Sequence, residues 1–467
     1  METHRKISSI SVSALQDTFN YKIEFRGHGN TAIIIAPNGY GKTAFLSLIN
    51  SCLQFKLFEA AEHQFDELNV VFDDKTRWMF KKTPHSVDDK PRAVSDRHYY
   101  RTHAKRRRLL ENFVKFSCFD DKGKIKKAGP IGDIESIPIE ILASALERNL
   151  PLNRVSYTAF RDLRTEDRLT IPEVVDRYRE ILAGDPDFRD QLGEYAATFL
   201  EGVGDRLHCV FIETQRLLQA RKAARPDETR SEPQEEILRQ AEYLAKLLQR
   251  TYSSYAATSQ DLDRSFPNRL IARSEGAGPY DVKGLKDELN AIESKRKALT
   301  AAGILVDTAE LVVAPKDEFI RNVADALQIY VEDSKKKLAT FDEIYAKVSA
   351  FRDLLAKKLA PKELNISRES GVSVRRGKSP VGLDKLSSGE KHEFIMLFRL
   401  IFETPPNSLV LIDEPEISLH VSWQLEFMSD LGRTQGANSF QSIIATHSPQ
   451  IIQGAEDITF DLSEQAK

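Results

Sequence analysis

The feature that most restricts the fold of this chain is an apolar run followed by a glycine-rich loop and a helical pattern. Residues 33–35 are three consecutive isoleucines, typical of a buried strand, and residues 43–54 have the spacing of a helix. The loop between them, residues 36–42, contains two glycines and a lysine. A buried strand that leads into a helix through such a loop is typical of α/β proteins. The sequence therefore predicts an α/β fold with a mixed sheet and flanking helices.

The loop has the composition of a phosphate-binding loop. Its small residues let backbone N–H groups surround a phosphate, and the N-terminus of the following helix adds positive potential. Lys42 can reach the β- and γ-phosphate oxygens, and the Thr43 hydroxyl can bind Mg²⁺. Ala36 stands where such loops usually have glycine, which alanine tolerates unless φ must be positive. We therefore predict an ATP and Mg²⁺ site at Pro37, Asn38, Gly39, Tyr40, Gly41, Lys42 and Thr43.

Two later strand ends carry residues that suit the same chemistry. The apolar run 408–412 ends in Asp413 and Glu414, and the run 443–445 is soon followed by His447. A carboxylate at a strand tip can bind Mg²⁺, and its neighbour can polarise the attacking water. We predict that Asp413 binds the metal, that Glu414 is the general base and that His447 donates to the γ-phosphate. Each residue alone also has a structural explanation, since acidic pairs often end strands and single histidines are more often structural.

A further motif precedes the helical pattern of residues 392–401. The string Leu386-Ser387-Ser388-Gly389-Glu390-Lys391 reads locally as a helix N-cap, with a serine before the helix and an acidic residue in its first turn. Backbone N–H groups and a serine hydroxyl at a helix start also form an anion site. We predict an anion site at Ser387, Ser388, Gly389 and Glu390.

Together these motifs resemble those of the ABC ATPase family, in particular its SMC-like, RecF-like and OLD-like members. Residues 36–43 match the Walker A motif, 386–391 the signature, 411–415 the Walker B motif and His447 the H-loop, while residues 416–420 stand in D-loop position. In this family the signature of one subunit completes the ATP site of another, which implies that Ser387, Ser388, Gly389 and Glu390 contact ATP. The resemblance therefore implies an ATP-hydrolysing homodimer or higher homo-oligomer.

By the same resemblance, Gln215 is predicted to be the Q-loop glutamine that senses Mg²⁺ and the γ-phosphate. Its position supports this assignment, because it follows the short apolar strand pattern at residues 210–212. Gln215 is therefore predicted to be both a metal contact and a catalytic residue.

Changes of pattern divide the chain into five predicted parts. They are an N-terminal head lobe with the phosphate-binding loop (1–134), a helical lobe (135–205), a head strand with Gln215 (206–216), a helical or coiled-coil insertion (217–360) and a C-terminal head lobe (361–467). The insertion has apolar residues at alternating steps of three and four, as in Ile237, Ala241, Leu244 and Leu248. Such seams predict either a short coiled coil or amphipathic helices packed on the head. The longest helix, about 40 residues, would span roughly 60 Å.

The composition favours a cytoplasmic protein with no membrane partner. No apolar run approaches the roughly 18 residues that a membrane helix needs. The three cysteines, Cys52, Cys118 and Cys209, include no CxxC pair, which argues against disulfides and a zinc site. The net charge of −3 gives no overall attraction to nucleic acid, although a local basic cluster can still bind it.

The resemblance also implies what such an ATPase would control. OLD-like proteins continue into a nuclease domain, whereas about 18 residues follow Pro449 here, so we expect any nuclease to be a separately encoded partner. The short insertion with the string Leu262-Asp263-Arg264-Ser265-Phe266-Pro267 is similar to that of ATPase subunits of two-gene phage-defence systems, of the PARIS type first and the Septu type second. There the ATPase senses infection and holds or releases a nuclease effector.

A basic cluster supports a competing function in DNA repair or maintenance, as in RecF-like or SMC-like proteins. Its members are Arg97, Arg101, Lys105, Arg106, Arg107, Arg108, Lys122, Lys124, Lys126 and Lys127. These cations could contact several DNA phosphates, dock an acidic protein or form an ordinary solvated surface, and the sequence leaves all three open. A transporter motor is disfavoured because no membrane segment is evident and the insertion is large.

Overall fold

The structure is a computed structural model, and it divides the chain into two compact units. The first comprises Met1–Glu213, Pro405–Glu416 and Ser439–Lys467, and the second comprises Thr214–Thr404 and Ile417–Asn438. The described residues are 5–26, 30–54, 57–84, 112–129, 139–156, 159–164, 168–171, 174, 178, 181–182, 185–193, 207–213, 233–274, 281–305 and 323–465.

Strands and helices follow one another along these ranges. The strands are β1 Ile7–Leu15, β2 Phe19–Glu24, β3 Thr31–Ile35, β4 Glu67–Phe72, β5 Arg77–Pro84, β6 Asn112–Phe119, β7 Ile125–Gly129, β8 Leu152–Ser156, β9 Ala159–Asp162, β10 Arg168–Thr170, β11 Cys209–Glu213, β12 Glu363–Ser367, β13 Gly371–Arg376, β14 Ser379–Val381, β15 Ser408–Asp413, β16 Phe440–Ala445 and β17 Thr459–Asp461. The helices are α1 Lys42–Leu53, α2 Leu57–Glu62, α3 Ile139–Asn149, α4 Pro186–Leu192, α5 Pro233–Ser274, α6 Val282–Ala301, α7 Ala324–Ala339, α8 Asp342–Leu359, α9 Ser388–Phe398, α10 Val421–Ala437, α11 Pro449–Ile452 and α12 Leu462–Gln465. Among the helices that the structure describes, none combines the length and the apolar character needed to cross a bilayer.

The first unit contains two large sheets around one core. One is antiparallel, in the order β2-β1-β4-β5-β6-β7, and the other is parallel, in the order β11-β15-β16-β3-β17. Side chains from both sheets and from α1 form the core, among them Ile10, Ile34, Phe45 and Leu411. Strands β15 and β16 are buried along their whole length, which explains the continuous apolar runs at residues 409–412 and 443–445. The predicted α/β fold is confirmed, but where a mixed sheet was expected the first unit has one antiparallel and one parallel large sheet.

A smaller substructure of the first unit lies in the segment for which a helical lobe was expected. It contains the helices α3 and α4, and also an antiparallel sheet in the order β10-β9-β8. Leu146, Phe160 and Phe188 are buried in its own core. These strands are only three to five residues long, which is too short for their alternation to stand out from the helical pattern around them.

The second unit is a helical bundle that carries the hairpin β12–β13. Its core joins the seam of α5, including Ile237 and Leu244, with Leu289 of α6 and with Phe394 and Phe398 of α9. Helix α5 has 42 residues, and at 1.5 Å per residue it is about 60 Å long. Because the seams of α5 and α6 enter the same core as α9, the part of these helices nearest the hairpin packs as a bundle.

One glycine allows the hairpin to lie close against α5. Gly371 begins β13 with φ of +64°, and a Cβ atom at this position would collide with the carbonyl oxygen of Ala241. Only glycine combines this backbone conformation with the missing side chain. The contact fixes the hairpin on α5 and so helps to position the segment that leads to α9.

Candidate functional site

The loop between β3 and α1 has the backbone of an anion cradle. Gly39 and Gly41 have φ values of +93° and +72°, which side chains rarely adopt, whereas Ala36, also a described residue, is not among those with positive φ. Among the described residues no side chain caps the N-terminus of α1, and the first turn holds no acidic residue. The first N–H groups of α1 are therefore left for an acceptor from outside the helix.

The conformation of Gly41 also suits its surroundings. A Cβ atom there would lie 3.2 Å from Oε1 of Gln16, in the turn between β1 and β2. On the other side of the loop, the Tyr21 hydroxyl donates to the carbonyl oxygen of Tyr40 at 2.7 Å. Residues of the antiparallel sheet thus support the loop.

Lys42 lies buried at the start of α1, and its ammonium points back into the loop. Its Nζ donates to the carbonyl oxygen of Ala36 at 2.8 Å and lies 2.6 Å from Nε2 of His447. An ammonium can only donate, so Nε2 of His447 accepts in this contact. Burial lowers the pKa of Lys42, and the carboxylates of Glu414 and Asp413 act in the opposite direction. The ammonium is thus held among anionic and polar groups, where phosphate oxygens could replace its present partners.

Thr43 and Asp413 meet across the sheet edge. The Thr43 hydroxyl donates to Oδ2 of Asp413 at 2.8 Å, while Oδ1 of Asp413 has no hydrogen-bond partner within the described part of the chain and is buried. Burial raises the pKa of Asp413, opposed by the bond from Thr43. A buried carboxylate oxygen without a donor, beside a hydroxyl, fits Mg²⁺, which binds one or two carboxylates together with substrate phosphates.

Glu414 and His447 follow two neighbouring parallel strands. Asp413 of β15 pairs with Ala445 of β16, so the residues after these strands emerge at the same edge of the sheet. Glu414 has φ of +50°, unusual for a side-chain-bearing residue, and its N–H donates to the Ala445 carbonyl at 2.8 Å. Oε1 of Glu414 lies 3.8 Å from Nε2 of His447. The structure therefore brings Lys42, Asp413, Glu414 and His447 together.

Glu416 was not predicted as a site residue, yet it touches this cluster. Its carboxylate accepts the His447 backbone N–H at 2.6 Å and the Thr446 hydroxyl at 2.8 Å. The sequence signal that could have found it is a third acidic residue just after Asp413 and Glu414. Its contact depends on the register of β15 against β16, which the sequence does not display.

The signature motif lies in the second unit and begins α9. Ser387 is the N-cap: its hydroxyl accepts the Glu390 N–H at 3.3 Å, and its own N–H donates to Oε2 of Glu390 at 2.8 Å. The Lys362 ammonium lies 2.5 Å from Oε1 of Glu390. Burial alone would raise the pKa of Glu390, but the bonds from Lys362 and Ser387 lower it overall. The capping that the sequence predicted is present, and the Glu390 carboxylate faces Lys362.

An open groove of about 590 Å³ adjoins this helix start. Its lining comes from the start of α9 and from the mostly apolar segment 417–423: Ser387, Ser388, Gly389, Ile417, Leu419, His420 and Trp423. Ile417 is exposed, as are Val421 and Leu425 on α10. The signature residues thus face a surface that a further molecule can reach.

Several sequence predictions fall on residues for which the structure gives no description. Gln215 is one of them, and so are Arg97, Arg101 and residues 105–108 of the basic cluster. Lys122 and Lys124 are exposed in the turn between β6 and β7, where their backbone N–H groups donate to Asp120. The predicted roles of Gln215 and of the basic cluster therefore remain predictions.

Comparisons with known proteins support an ATPase. Residues 223–452 match the family model of the AAA ATPase domain, a stretch that includes the signature, Asp413, Glu414 and His447. The Escherichia coli protein named "Retron Ec83 probable ATPase" is 27% identical over 194 residues, which is 38% of this chain and 34% of that protein. The prediction of an ATP-hydrolysing domain is confirmed.

The other similarities are shorter or weaker. Protein ea59 of Escherichia phage lambda is 38% identical over 69 residues, which is 15% of this chain and 13% of that protein. The chain thus spans about a third of the length of the retron protein and about an eighth of ea59. SMC head domains from Pyrococcus furiosus and Thermotoga maritima align over 96% of this chain and 91% of theirs, with TM-scores of 0.32 and 0.30 and identities of 13% and 8%. At these values the structural likeness carries no argument.

Proposed function

We propose that this chain, which carries an AAA ATPase domain over residues 223–452, is an ABC-type ATPase that works in the cytoplasm and closes head to head around ATP. We propose further that it senses infection and controls a separately encoded nuclease effector in anti-phage defence. The observation that carries the first proposal is the convergence of Lys42, Thr43, Asp413, Glu414 and His447 at one edge of the parallel sheet.

Nucleotide binding would begin at the N-terminus of α1. The N–H groups of its first turn and of the loop 37–41 would surround the β-phosphate. Lys42 would exchange the Ala36 carbonyl and His447 for β- and γ-phosphate oxygens. This exchange matters for His447, because Nε2 cannot donate to a phosphate while it accepts from Lys42. Binding would therefore prepare His447 for its catalytic contact.

Thr43 and Asp413 would hold Mg²⁺ through the Thr43 hydroxyl and the buried Oδ1 of Asp413. When bound, the ion would offset the negative charge that builds up on the phosphates during transfer. Gln215 is proposed as a further contact of this group on the strength of the family resemblance alone.

Glu414 would act as the general base. A water molecule would attack the γ-phosphorus, its proton would pass to the Glu414 carboxylate, and the bond between the γ-phosphorus and the bridging oxygen would break to release ADP. His447 would donate from Nε2 to a γ-phosphate oxygen. Its distance of 3.8 Å from Glu414 supports a joint action of both side chains on the same phosphate.

A second copy would complete the site. Each chain has one phosphate-binding loop and one signature, so two signatures can serve two nucleotides only in an assembly of at least two copies. Ser387, Ser388, Gly389 and Glu390 would contact the ATP held by the partner copy. The open groove and the exposed apolar residues beside these positions support such an interface.

The defence role has a separate support. The relative from Escherichia coli is named as a retron ATPase, and its similarity covers 38% of this chain. Together with the resemblance to the ATPase subunits of two-gene phage-defence systems, this similarity supports our proposal of a separately encoded nuclease effector as the partner. ATP hydrolysis would open the dimer and so change the hold on that effector.

The Glu414→Gln variant tests the ATPase assignment. We expect it to bind ATP, to lose at least about 100-fold in turnover and to accumulate as an ATP-bound dimer, because the base is lost while the phosphate contacts remain. Phosphate release measures the first effect, and size-exclusion chromatography with light scattering measures the second. Glu62→Gln, an exposed carboxylate at the end of α2, is the matched control and should behave like the parent.

Turnover at the parental rate in Glu414→Gln would show that another group is the base.

The defence proposal is tested by expressing the chain with its neighbouring gene and challenging the cells with phage. Protection that depends on both genes and on Lys42 is expected. Duplex DNA binding that weakens steeply with salt, without any protection, would instead favour the function in DNA maintenance.

A further inference from the structure

The carboxylate of Glu416 connects two strand ends beside the proposed catalytic residues. Glu416 lies in a short 3-10 helix, Pro415–Ser418, which directly follows β15 and Glu414. Its Oε1 accepts the backbone N–H of His447 at 2.6 Å, and its Oε2 accepts the Thr446 hydroxyl at 2.8 Å. Each oxygen of this carboxylate thus binds one of the two residues that follow β16.

The loop that Glu416 holds is anchored on its other sides as well. The Thr446 N–H donates to the Ile34 carbonyl of β3 at 3.2 Å, and the Thr446 hydroxyl accepts the Ser448 N–H at 3.0 Å. Thr446 is fully buried. The next residue, His447, is where the loop leaves the sheet, and at that point the Glu416 carboxylate fixes its backbone.

The side chain of His447 depends on this backbone contact for its position. Its side chain is 38% exposed, so packing does not enclose the ring. Its Nε2 nevertheless lies 2.6 Å from Nζ of Lys42 and 3.8 Å from Oε1 of Glu414. Because more than a third of this side chain is exposed, the ring keeps such a position only if the backbone of His447 is fixed. A charge-assisted hydrogen bond from the backbone N–H to the Glu416 carboxylate fixes it.

We propose that Glu416 is a positioning residue for ATP hydrolysis, which acts by holding His447 in reach of the γ-phosphate. This inference rests on the proposed function and adds a residue to it. Glu416 does not touch the nucleotide in this role, so its removal lowers the rate of hydrolysis and leaves nucleotide binding nearly intact.

Steady-state kinetics of the full chain test this role with a pair of variants. Glu416→Ala is expected to lower kcat roughly 10- to 100-fold, in the range found when partners that orient a catalytic ligand are removed, with KM changed less than about threefold. Glu416→Gln is expected to stay within about fivefold of the parent. Its amide oxygen still accepts from His447, and its amide nitrogen can donate to the Thr446 hydroxyl oxygen.

The same pair separates position from charge, since Glu416 also acts on the pKa of Lys42. Equal losses of kcat in Glu416→Ala and Glu416→Gln would overturn the proposal, because they would assign the effect to the negative charge. A rise in KM that accounts for the whole loss in Glu416→Ala would overturn it too.

A double-mutant cycle tests whether Glu416 acts through His447. In a His447→Ala background, Glu416→Ala is expected to lower kcat by less than about twofold, because the side chain that it positions is already gone. A full additional loss in that background would show that Glu416 acts by another route. An unchanged kcat in His447→Ala alone would remove the catalytic role of His447 and the proposal for Glu416 with it.

A measurement without nucleotide keeps this inference separate from the proposed function. The chain has ten histidines, and selective ¹³C labelling resolves their ring signals by NMR, with His447 assigned from His447→Ala. The His447 signal is expected to shift or broaden in Glu416→Ala and to stay near the parental position in Glu416→Gln. An unchanged signal in Glu416→Ala would overturn the proposal. A parent protein without ATP turnover would instead sink the proposed function, while the spectra would still decide whether Glu416 holds His447.

Discussion

The two helix starts that carry the predicted ATP contacts are built in different ways. Helix α1 follows Gly41 and, among the described residues, has no side-chain cap. Helix α9 follows Ser387, which exchanges two hydrogen bonds with Glu390 in a complete capping box. The N-terminus of α1 therefore offers its N–H groups to a ligand, whereas that of α9 satisfies part of its own need.

The charges at the two helix starts differ in the same sense. The first turn of α1 carries the Lys42 ammonium, and the first turn of α9 carries the Glu390 carboxylate, with Lys362 at 2.5 Å from it. A helix N-terminus favours an anion, and α9 already has one of its own. We infer that α1 is the primary phosphate site and that α9 makes a weaker, additional contact to a nucleotide that is already bound.

The largest expected effect comes from replacing the lysine of each helix start, Lys42 in α1 and Lys362 beside α9. Lys42→Ala is expected to weaken ATP binding by at least about 100-fold, because charge-assisted contacts to two phosphates are lost. Lys362→Ala is the matched change at α9, and we expect it to alter ATP affinity by less than about threefold. Titration with a fluorescent ATP analogue measures both. Similar losses of affinity in the two variants would mean that both helix starts bind phosphate directly.

A methyl group added at Gly389 tests whether the start of α9 takes part in hydrolysis. Gly389 lies within α9, so alanine suits its backbone and can raise helix stability by up to about 1 kcal/mol. Gly389 lines the groove, so the change alters this surface, and we expect kcat to fall roughly tenfold with ATP affinity unchanged. Phosphate release and analogue binding measure the two quantities.

Gly432→Ala on α10 is the control for this change. It also replaces a helical glycine, and no described atom lies within 4 Å of the added methyl group. We expect parental turnover for it. If Gly389→Ala turned over ATP as fast as Gly432→Ala, the groove at α9 would have no part in hydrolysis.

The sequence predicted best where one segment contains both the structure and the chemistry. The phosphate-binding loop needs only β3, two glycines with positive φ and α1, all within 23 residues of sequence from Thr31 to Leu53. Strands β15 and β16 were recognisable because a parallel strand covered on both faces carries a continuous apolar run, here residues 409–412 and 443–445. The capping box of α9 is equally local.

What the sequence could not predict depends on pairs that are distant along the chain. The contact of Lys42 with His447 joins residues 405 positions apart, and that of Glu390 with Lys362 joins residues 28 positions apart. The hydrogen bond between the His447 N–H and the Glu416 carboxylate follows from the register of β15 against β16. Strands β5 and β6 pair with each other across a gap of 27 residues, and no local pattern predicts that pairing.

The last expected effect is on local stability instead of activity, and it concerns the second turn of α9, where His392 is buried. Neither ring nitrogen has a hydrogen-bond partner in the described part of the chain, and burial, together with the charge of Arg399, lowers the pKa of His392 to about 4. An unfolded histidine titrates near 6.5, so between pH 6.5 and 4 the open state of α9 binds a proton that the folded state does not. The free energy of opening is therefore expected to fall as the pH drops through this window, by about 3 kcal/mol at most.

Hydrogen exchange of α9 amides, corrected for the intrinsic rate at each pH, measures this loss in the parent and in His392→Leu. Glu393 opposes it, since burial raises its pKa to about 7 and makes α9 less stable as the pH rises from 4.5 to 7. The difference between parent and variant cancels that contribution, because Glu393 is present in both. The difference should grow steadily below pH 6.5, while the amides of α1 exchange alike in the two proteins. If the exchange of α9 amides depended on pH in the same way in parent and variant, His392 would take up its proton in the folded state as well. The difference between the uncapped N-terminus of α1 and the capped N-terminus of α9 would then be limited to the capping box.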